Sequence, residues 1–286
     1  PETALAALQT GDVDWYPDFS ESDIPTLEGL EPNVHLKIVP GSDFEHYLFN
    51  LGHADGVKDA SGAMIAGSAS PEEGFCPFKD VRVRKAITLG INRQAIVDTL
   101  LNGATEVPAT QWPNSAWTNS SLTPDGYDPD AAMALLDEAG YTDTDGDGIR
   151  EGECGGAEVK LSFNFETTDK QIRVDNALAV QSDLKKIGVE FKPIHTPAGT
   201  FFGTYTYGGP MSTGKFDIAG YTTGFYPDPY PATEDWLCRS IPSADNPGGS
   251  NWYQYCAPEL DQLFADLNAT ADPAARKVAV DAIQQY

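Results

Sequence analysis

DVRVRKAITLGINRQAIVDTLLNG (80–103), YDPDAAMALLDEAGY (127–141) and TDTDGDGIREGE (142–153) decide how the rest of the chain is read. Asp80 is suited to cap a helix, and Val83, Ala86, Ile87 and Ile91 recur at helical spacing with Arg82, Arg84 and Lys85 on the other side. Asn92 predicts a second start, with Ile96, Leu100 and Leu101 inward and a stop at Gly103, where glycine takes a left-handed backbone easily. Asp128-Pro129 opens a third helix, because proline's fixed φ suits the first helical position, and Gly140 closes it. Three aspartates at alternate positions in a glycine-rich turn follow at once.

Working outward, EVKLSFNFET (158–167) alternates Val159, Leu161, Phe163 and Phe165, the period of a strand. Residues 168–189 predict a helix with a stripe of Ile172, Asn176, Val180, Leu184 and Ile187, stopped by Gly188, and VEFKPIH (189–195) a further strand. Strand, helix, strand in that order calls for a crossover connection and an α/β fold. Upstream, a helix ending at Gly11, a strand at DVDWY (12–16), a short helix over 22–30 and strands at NVHLKIVPG (33–41) and HYLFNLGH (46–53) are expected. Residues 54–76, rich in Gly, Ala and Ser without a period, read as a loop insertion, and 141–153 as an Asp-rich turn. Downstream, KFDIAGYTTGFYPDPYP (215–231) starts as a strand and dissolves into an aromatic, proline-rich turn before a helix opened by Pro258 and another by Asp272-Pro273. The first helix opens without a cap and the last ends without a stop, which reads as a fragment cut at both ends.

The 286 residues carry a net charge of −25, which argues against nucleic-acid binding, since that affinity rests on Lys and Arg at the phosphates; anionic membranes are disfavoured for the same reason. No GxSxG, HExxH, CxxC or phosphate-binding loop occurs, and His35, His46, His53 and His195 are scattered, so the chain is not read as an enzyme. The aspartate turn suggests Ca2+, a hard cation that takes six to eight oxygens: Asp143, Asp145, Asp147, the carbonyl of Ile149, and Glu151 or Glu153. It is not an EF-hand, because the twelfth position from Asp143 is Cys154 in place of glutamate. The expected role is to pin a turn; the competing reading is a solvated acidic loop.

The ordered series 78–103, 127–141 and 142–151 resembles the extracellular solute-binding proteins of family 5, the dipeptide, oligopeptide and nickel type that deliver ligand to ABC importers. The resemblance implies a type II periplasmic-binding-protein-like α/β lobe with a mixed β-sheet flanked by helices, residues 1–286 forming mainly the second, substrate-enclosing lobe, with the first lobe largely missing. It implies capture of an oligopeptide or other small solute by lobe closure, with the membrane subunits of an ABC permease as partners and the protein itself a monomer. Location would be extracytoplasmic, either periplasmic or anchored at the cell surface as a lipoprotein.

In peptide-binding relatives the strand at 216–221 ends in an aromatic, matched by Tyr221, and an acid a few positions on holds the ligand's α-amino group. That acid falls near Gly224 here, which leaves Asp228 as a substitute or as a turn-forming residue before Pro229. Thr222 and Tyr226 are expected on the same wall as Tyr221. Asn50 is a candidate because the relatives' strand passes near the cleft, and Trp112 either walls the ligand or seals the core. Cys238 and Cys256 flank a polar loop, and the resemblance favours a bridge there, leaving Cys76 and Cys154 as the remaining pair. A sugar, an opine or a nickel chelate is the alternative solute within the family, and a calcium-stabilised extracellular hydrolase the alternative outside it.

Overall fold

The computed structural model describes residues 2–17, 19–52, 57–58, 64–65, 76–224, 228–229 and 234–286. The chain divides into two compact units, residues 1–41 with 93–107, and residues 42–92 with 108–286. The first unit holds helices α1 (Glu2–Thr10), α2 (Ile24–Glu28) and α4 (Arg93–Leu100), the last numbered by its place in the chain, and buries Ile24, Leu27 and Val97. Asn102 Nδ2 donates to the carbonyl of Glu21 at 2.8 Å within it. Neither strand expected here forms. Both 12–16 and 33–41 are irregular, because Trp15, Ile38 and Val39 stay exposed and no neighbouring strand among the described residues takes up their backbone groups.

The second unit is built on a four-stranded mixed sheet in the order β1 (Asp43–Phe49), β8 (Ile218–Gly224), β6 (Ser162–Thr168), β7 (Glu190–Thr196). β6 and β7 run parallel and are joined by α6 (Gln171–Lys185), the crossover that their order requires. β8 is parallel to β6 and antiparallel to β1, so the sheet is mixed. Within 54–76, Val57–Lys58 (β2) and Met64–Ile65 (β3) pair antiparallel; residues 54–56, 59–63 and 66–75 of that expected loop lie outside the described residues.

Two other assignments shift. EVKLSFNFET divides at Leu161: Ala157–Lys160 (β5) folds back on Glu151–Cys154 (β4), and only the remainder enters the main sheet. Leu161 then bridges the two pieces, its N–H donating to Arg150 and its carbonyl accepting from Glu190. On α6 the buried stripe is Arg173, Ala177, Val180, Asp183 and Leu184, while Ile172 is exposed. A polar pair enters that stripe because each finds a partner. Arg173 meets Glu45, and Asp183 accepts from the Asn92 backbone N–H at 2.9 Å and from Lys186.

One face of the sheet carries Tyr47, Phe165 and Phe191 in mutual ring contact, and Phe49 and Phe163 joined through Phe78, which lies 4.5 Å from Phe163. Gly220 admits this packing: a Cβ there would lie 2.6 Å from Phe165 and 2.8 Å from Tyr47. Helix α3 (Val81–Gly90) is capped by Asp80, whose carboxylate accepts from the Arg82 N–H, and buries Val83, Ala86 and Ile87. Helix α5 (Pro129–Glu138), capped by Asp128, buries Ala132 and Leu136. The opposite sheet face sets Leu48, Ala219 and Tyr221 against Phe201 of α7 (Ala198–Phe201), Met211 of α8 (Pro210–Thr213) and Phe216. A separate core joins α9 (Pro258–Asn268) to α10 (Pro273–Gln285) through Leu260, Phe264, Leu267, Val280 and Ile283. Cys76 is bridged to Cys154 and Cys238 to Cys256.

Two site candidates turn out to hold this framework together. Trp112 is 1% exposed in the α9–α10 core, so it seals that core and is not a ligand wall. Asn50 is fully buried at the end of β1; its amide donates to the carbonyls of Gly214 and Phe216 at 2.9 Å each and accepts from the Gly52 N–H at 3.1 Å. Its polar atoms are spent on the chain's own backbone, which removes it from the ligand set. Trp112→Ala is expected to cost about 3–5 kcal/mol in denaturant unfolding, as a large core ring. Asn50→Ala is expected to cost about 2–3 kcal/mol by stranding two buried carbonyls. Unchanged midpoints would return either residue to the ligand surface.

Candidate ligand-binding site

β8 organises the candidate site because it changes surroundings at its midpoint. β6 pairs with it only at Ile218–Gly220, whereas β1 stays paired through Gly224. From Tyr221 onward β8 therefore has strand pairing on the β1 side alone. Successive side chains leave a strand on opposite faces, so Tyr221 and Thr222 are separated and do not line one wall as the sequence suggested.

Tyr221 stands among aromatics. His46, its cross-strand partner, lies edge-on at 4.4 Å between ring centroids; Trp252 is at 5.5 Å and Phe202 at 5.6 Å. Trp236 stacks on Tyr253 at 4.4 Å beside them. Burial, reinforced by the nearby charges of Asp235 and Glu45, pushes the Tyr221 phenol well above its usual range, so it stays protonated. Asp235 was not singled out by sequence. Burial raises its carboxyl pKa, a hydrogen bond from Ser250 opposes that rise, and Glu234 adds to it. No motif surrounds Asp235; only the folding of 234–253 against β8 places a carboxylate here.

Thr222 faces a polar lock. Arg173, 8% exposed, donates through Nε to Glu45 Oε1 at 3.0 Å, through Nη2 to Thr222 Oγ1 at 2.9 Å and through Nη1 to Thr168 Oγ1 at 2.5 Å. Thr222 Oγ1 in turn donates to Glu45. Thr222 is committed to holding β1, β8 and α6 together. At Gly224 a Cβ would meet Asp43 Oδ1 at 1.8 Å, so the carboxylate of Asp43, its cross-strand partner, fills the space a side chain at 224 would need. Asp228 pairs with Arg276 Nη2 at 2.7 Å, so a ligand ammonium would compete with a cation already in place. Tyr226 lies outside the described residues.

The aspartate turn is a separate place. Carboxylate oxygens of Asp143, Asp145 and Glu151 lie within 4.8 Å of one another. Asp147 and Glu153 are not in this group: Asp147 pairs with Lys160, as Asp145 also does, and Glu153 sits on β4 opposite Glu158. The Ile149 N–H donates to Asp147 at 2.8 Å.

Residues 1–241 match the family described as bacterial extracellular solute-binding proteins, family 5 Middle. Oligopeptide-binding protein AppA of Bacillus subtilis is 30% identical over 275 residues, 94% of this chain and 43% of AppA. The structure of B. subtilis AppA in complex with a nonapeptide superposes with a TM-score of 0.70 at 26% identity, covering 99% of this chain and 50% of AppA. The nickel-binding periplasmic protein of Escherichia coli is 28% identical over 192 residues, 66% of this chain and 32% of that protein. The chain thus spans about half the length of the relatives it matches. Among the described residues no helix is long and apolar enough to cross a membrane.

His46 makes the aromatic wall testable through pH. Burial, the leading cause, lowers its pKa from 6.5 to about 4, and the charge of Arg173 lowers it further. The unfolded chain takes up the proton near pH 6.5 and the fold does not until about pH 4. This contribution is therefore intact above pH 6.5 and lost as pH falls to 4, by about 3 kcal/mol at most. Glu166, Asp217 and Asp235, whose pKa values burial raises, act in the opposite sense, so the wild type must be compared with His46→Phe. The wild type is expected to lose more unfolding free energy than the variant between pH 7 and 4. Identical profiles would mean that the imidazole is solvated.

Proposed function

Because the chain belongs to the family 5 extracellular solute-binding proteins, we propose that it forms one wall of the ligand cleft in the capturing component of an ABC importer, and that the solute is a peptide. The observation that carries this reading is the end of β8, where a strand paired on one side only lies beside an aromatic wall and a half-buried acid. An extended peptide satisfies its backbone donors and acceptors best against such a strand, and its side chains against aromatic surface. Phe202 and Trp252, backed by the buried Tyr221, would supply that surface, and Asp235 would receive a ligand ammonium, a contact strengthened by partial burial.

Binding proceeds by capture without a catalytic step, and the permease's membrane subunits receive the loaded protein. The location is extracytoplasmic, a reading supported by two disulfides, which persist in oxidising compartments. The relative described as a nickel-binding protein sets the competing solute class.

Native mass spectrometry of the full-length protein, purified without added ligand, is expected to release a ladder of peptide masses. Asp235→Asn is expected to weaken a free-amine peptide roughly tenfold relative to its N-acetylated form, the weight of one charge-assisted hydrogen bond. A single non-peptide mass would overturn the peptide reading, and equal weakening of both peptides would remove Asp235 from the amine site.

A further inference from the structure

We propose that the turn between α5 and β4 is a Ca2+ site built on Asp143, Asp145 and Glu151, with Glu151 as its buried anchor. Most carboxylates of this turn are satisfied by the chain itself. Asp143 accepts from the N–H groups of Gly146 and Gly148, Asp145 from that of Asp147, and Lys160 bridges the outer oxygens of Asp145 and Asp147. Those contacts shape a turn and call for nothing further.

Glu151 differs. It is 4% exposed, and its Oε1 accepts from the N–H of Thr144 at 2.6 Å and from the Thr144 hydroxyl, but its Oε2 is shut away from solvent with no hydrogen-bond partner. A buried carboxylate oxygen left unpaired is costly. The two nearby cations do not reach the Glu151 oxygen: Arg150 is held by Asp137 and the carbonyls of Tyr141 and Ile187, and Lys160 by the outer oxygens of Asp145 and Asp147. The carboxylate that carries this unpartnered oxygen belongs to the group in which Asp143, Asp145 and Glu151 each bring one oxygen within 4.8 Å of the others.

The group fits Ca2+, which binds oxygen at roughly 2.3–2.6 Å, so that oxygens in one shell lie up to about 5 Å apart; Mg2+ demands a nearly ideal octahedron and dehydrates reluctantly, which an irregular set of three carboxylates does not suit. A cavity of about 380 Å³ lined by Thr144, Glu151, Glu153 and Glu158 adjoins the group and gives room for the water ligands that three carboxylates leave to be filled. The ion would tie the end of α5 to the β4–β5 hairpin, whose Cys154 is bridged to Cys76. Its role is structural and independent of the solute bound at β8.

The test is isothermal titration of the chelator-treated chain with Ca2+ and separately with Mg2+, alongside thermal unfolding. One Ca2+ per chain is expected, with Mg2+ at least tenfold weaker and a midpoint rise of roughly 5 °C at a hundredfold excess over Kd. Glu151→Gln should abolish the heat and, in chelator, unfold no earlier than the wild type, since it removes a buried unpaired charge. Asp143→Asn, at an exposed position, tests the same site should Glu151→Gln fail to fold, and is expected to weaken Ca2+ more than tenfold. Glu153→Gln should leave binding unchanged. Absence of saturable Ca2+ binding at millimolar concentration, or binding untouched by the Glu151 and Asp143 variants, would overturn the proposal.

Discussion

The pairing of β1 with β8 is the constraint on which the second unit depends. It joins residues 43–49 to 218–224 across most of the sequence, and both of its ends are locked by side chains. At one end Asn50 ties β1 to the carbonyls of Gly214 and Phe216. At the other, Arg173 reaches from α6 to Glu45 on β1, Thr222 on β8 and Thr168 on β6. A buried ion pair of this kind adds little net stability as a pair, but breaking it leaves an uncompensated charge, so it works chiefly by penalising any other register.

With the register set, the two faces of β8 take different tasks. Tyr221 turns toward Trp252 and Phe202, and His46 packs edge-on against Tyr221, in a wall of large rings whose titratable members are held neutral by burial. Thr222 turns to the ion lock and is not free to follow a ligand. The only half-buried carboxylate whose charge is felt at both Tyr221 and Tyr253 among the described residues is Asp235, contributed by the segment that follows the strand. Rigid scaffold and adaptable surface thus lie back to back on one strand.

Sequence pattern revealed what depends on local chemistry. The caps at Asp80 and Asp128, the crossover β6–α6–β7, the terminal helices and the family resemblance were all legible, because each rests on spacing within a few turns of chain. What failed depended on partners far away in sequence. The alternation in NVHLKIVPG suggested a strand, but alternation without a neighbour to bond does not make one. The run EVKLSFNFET hid a hairpin because its alternation continues unbroken through the point where β5 ends. Of the stripe expected on α6, Val180, Leu184 and Ile187 are buried, but Ile172 is exposed and Arg173 takes an inner place because Glu45 meets it, and Asn50 and Trp112 were open between site and scaffold until their partners were known. Asp235 carried no signal at all, since its place beside Tyr221 comes only from tertiary folding.

Hydrogen–deuterium exchange of the β1 and β8 amides, in the wild type and in Arg173→Met, tests the dependence of the site on this pairing most directly. The hydrogen-bonded amides of 43–49 and 218–224 are expected to exchange together, near the rate set by global unfolding, and to open locally in the variant while β6 and β7 remain protected. Fast exchange of β1 in the wild type beside a slow β8, or no change in the variant, would contradict the account: the aromatic wall would then be held by its own packing and not by the locked pair of strands.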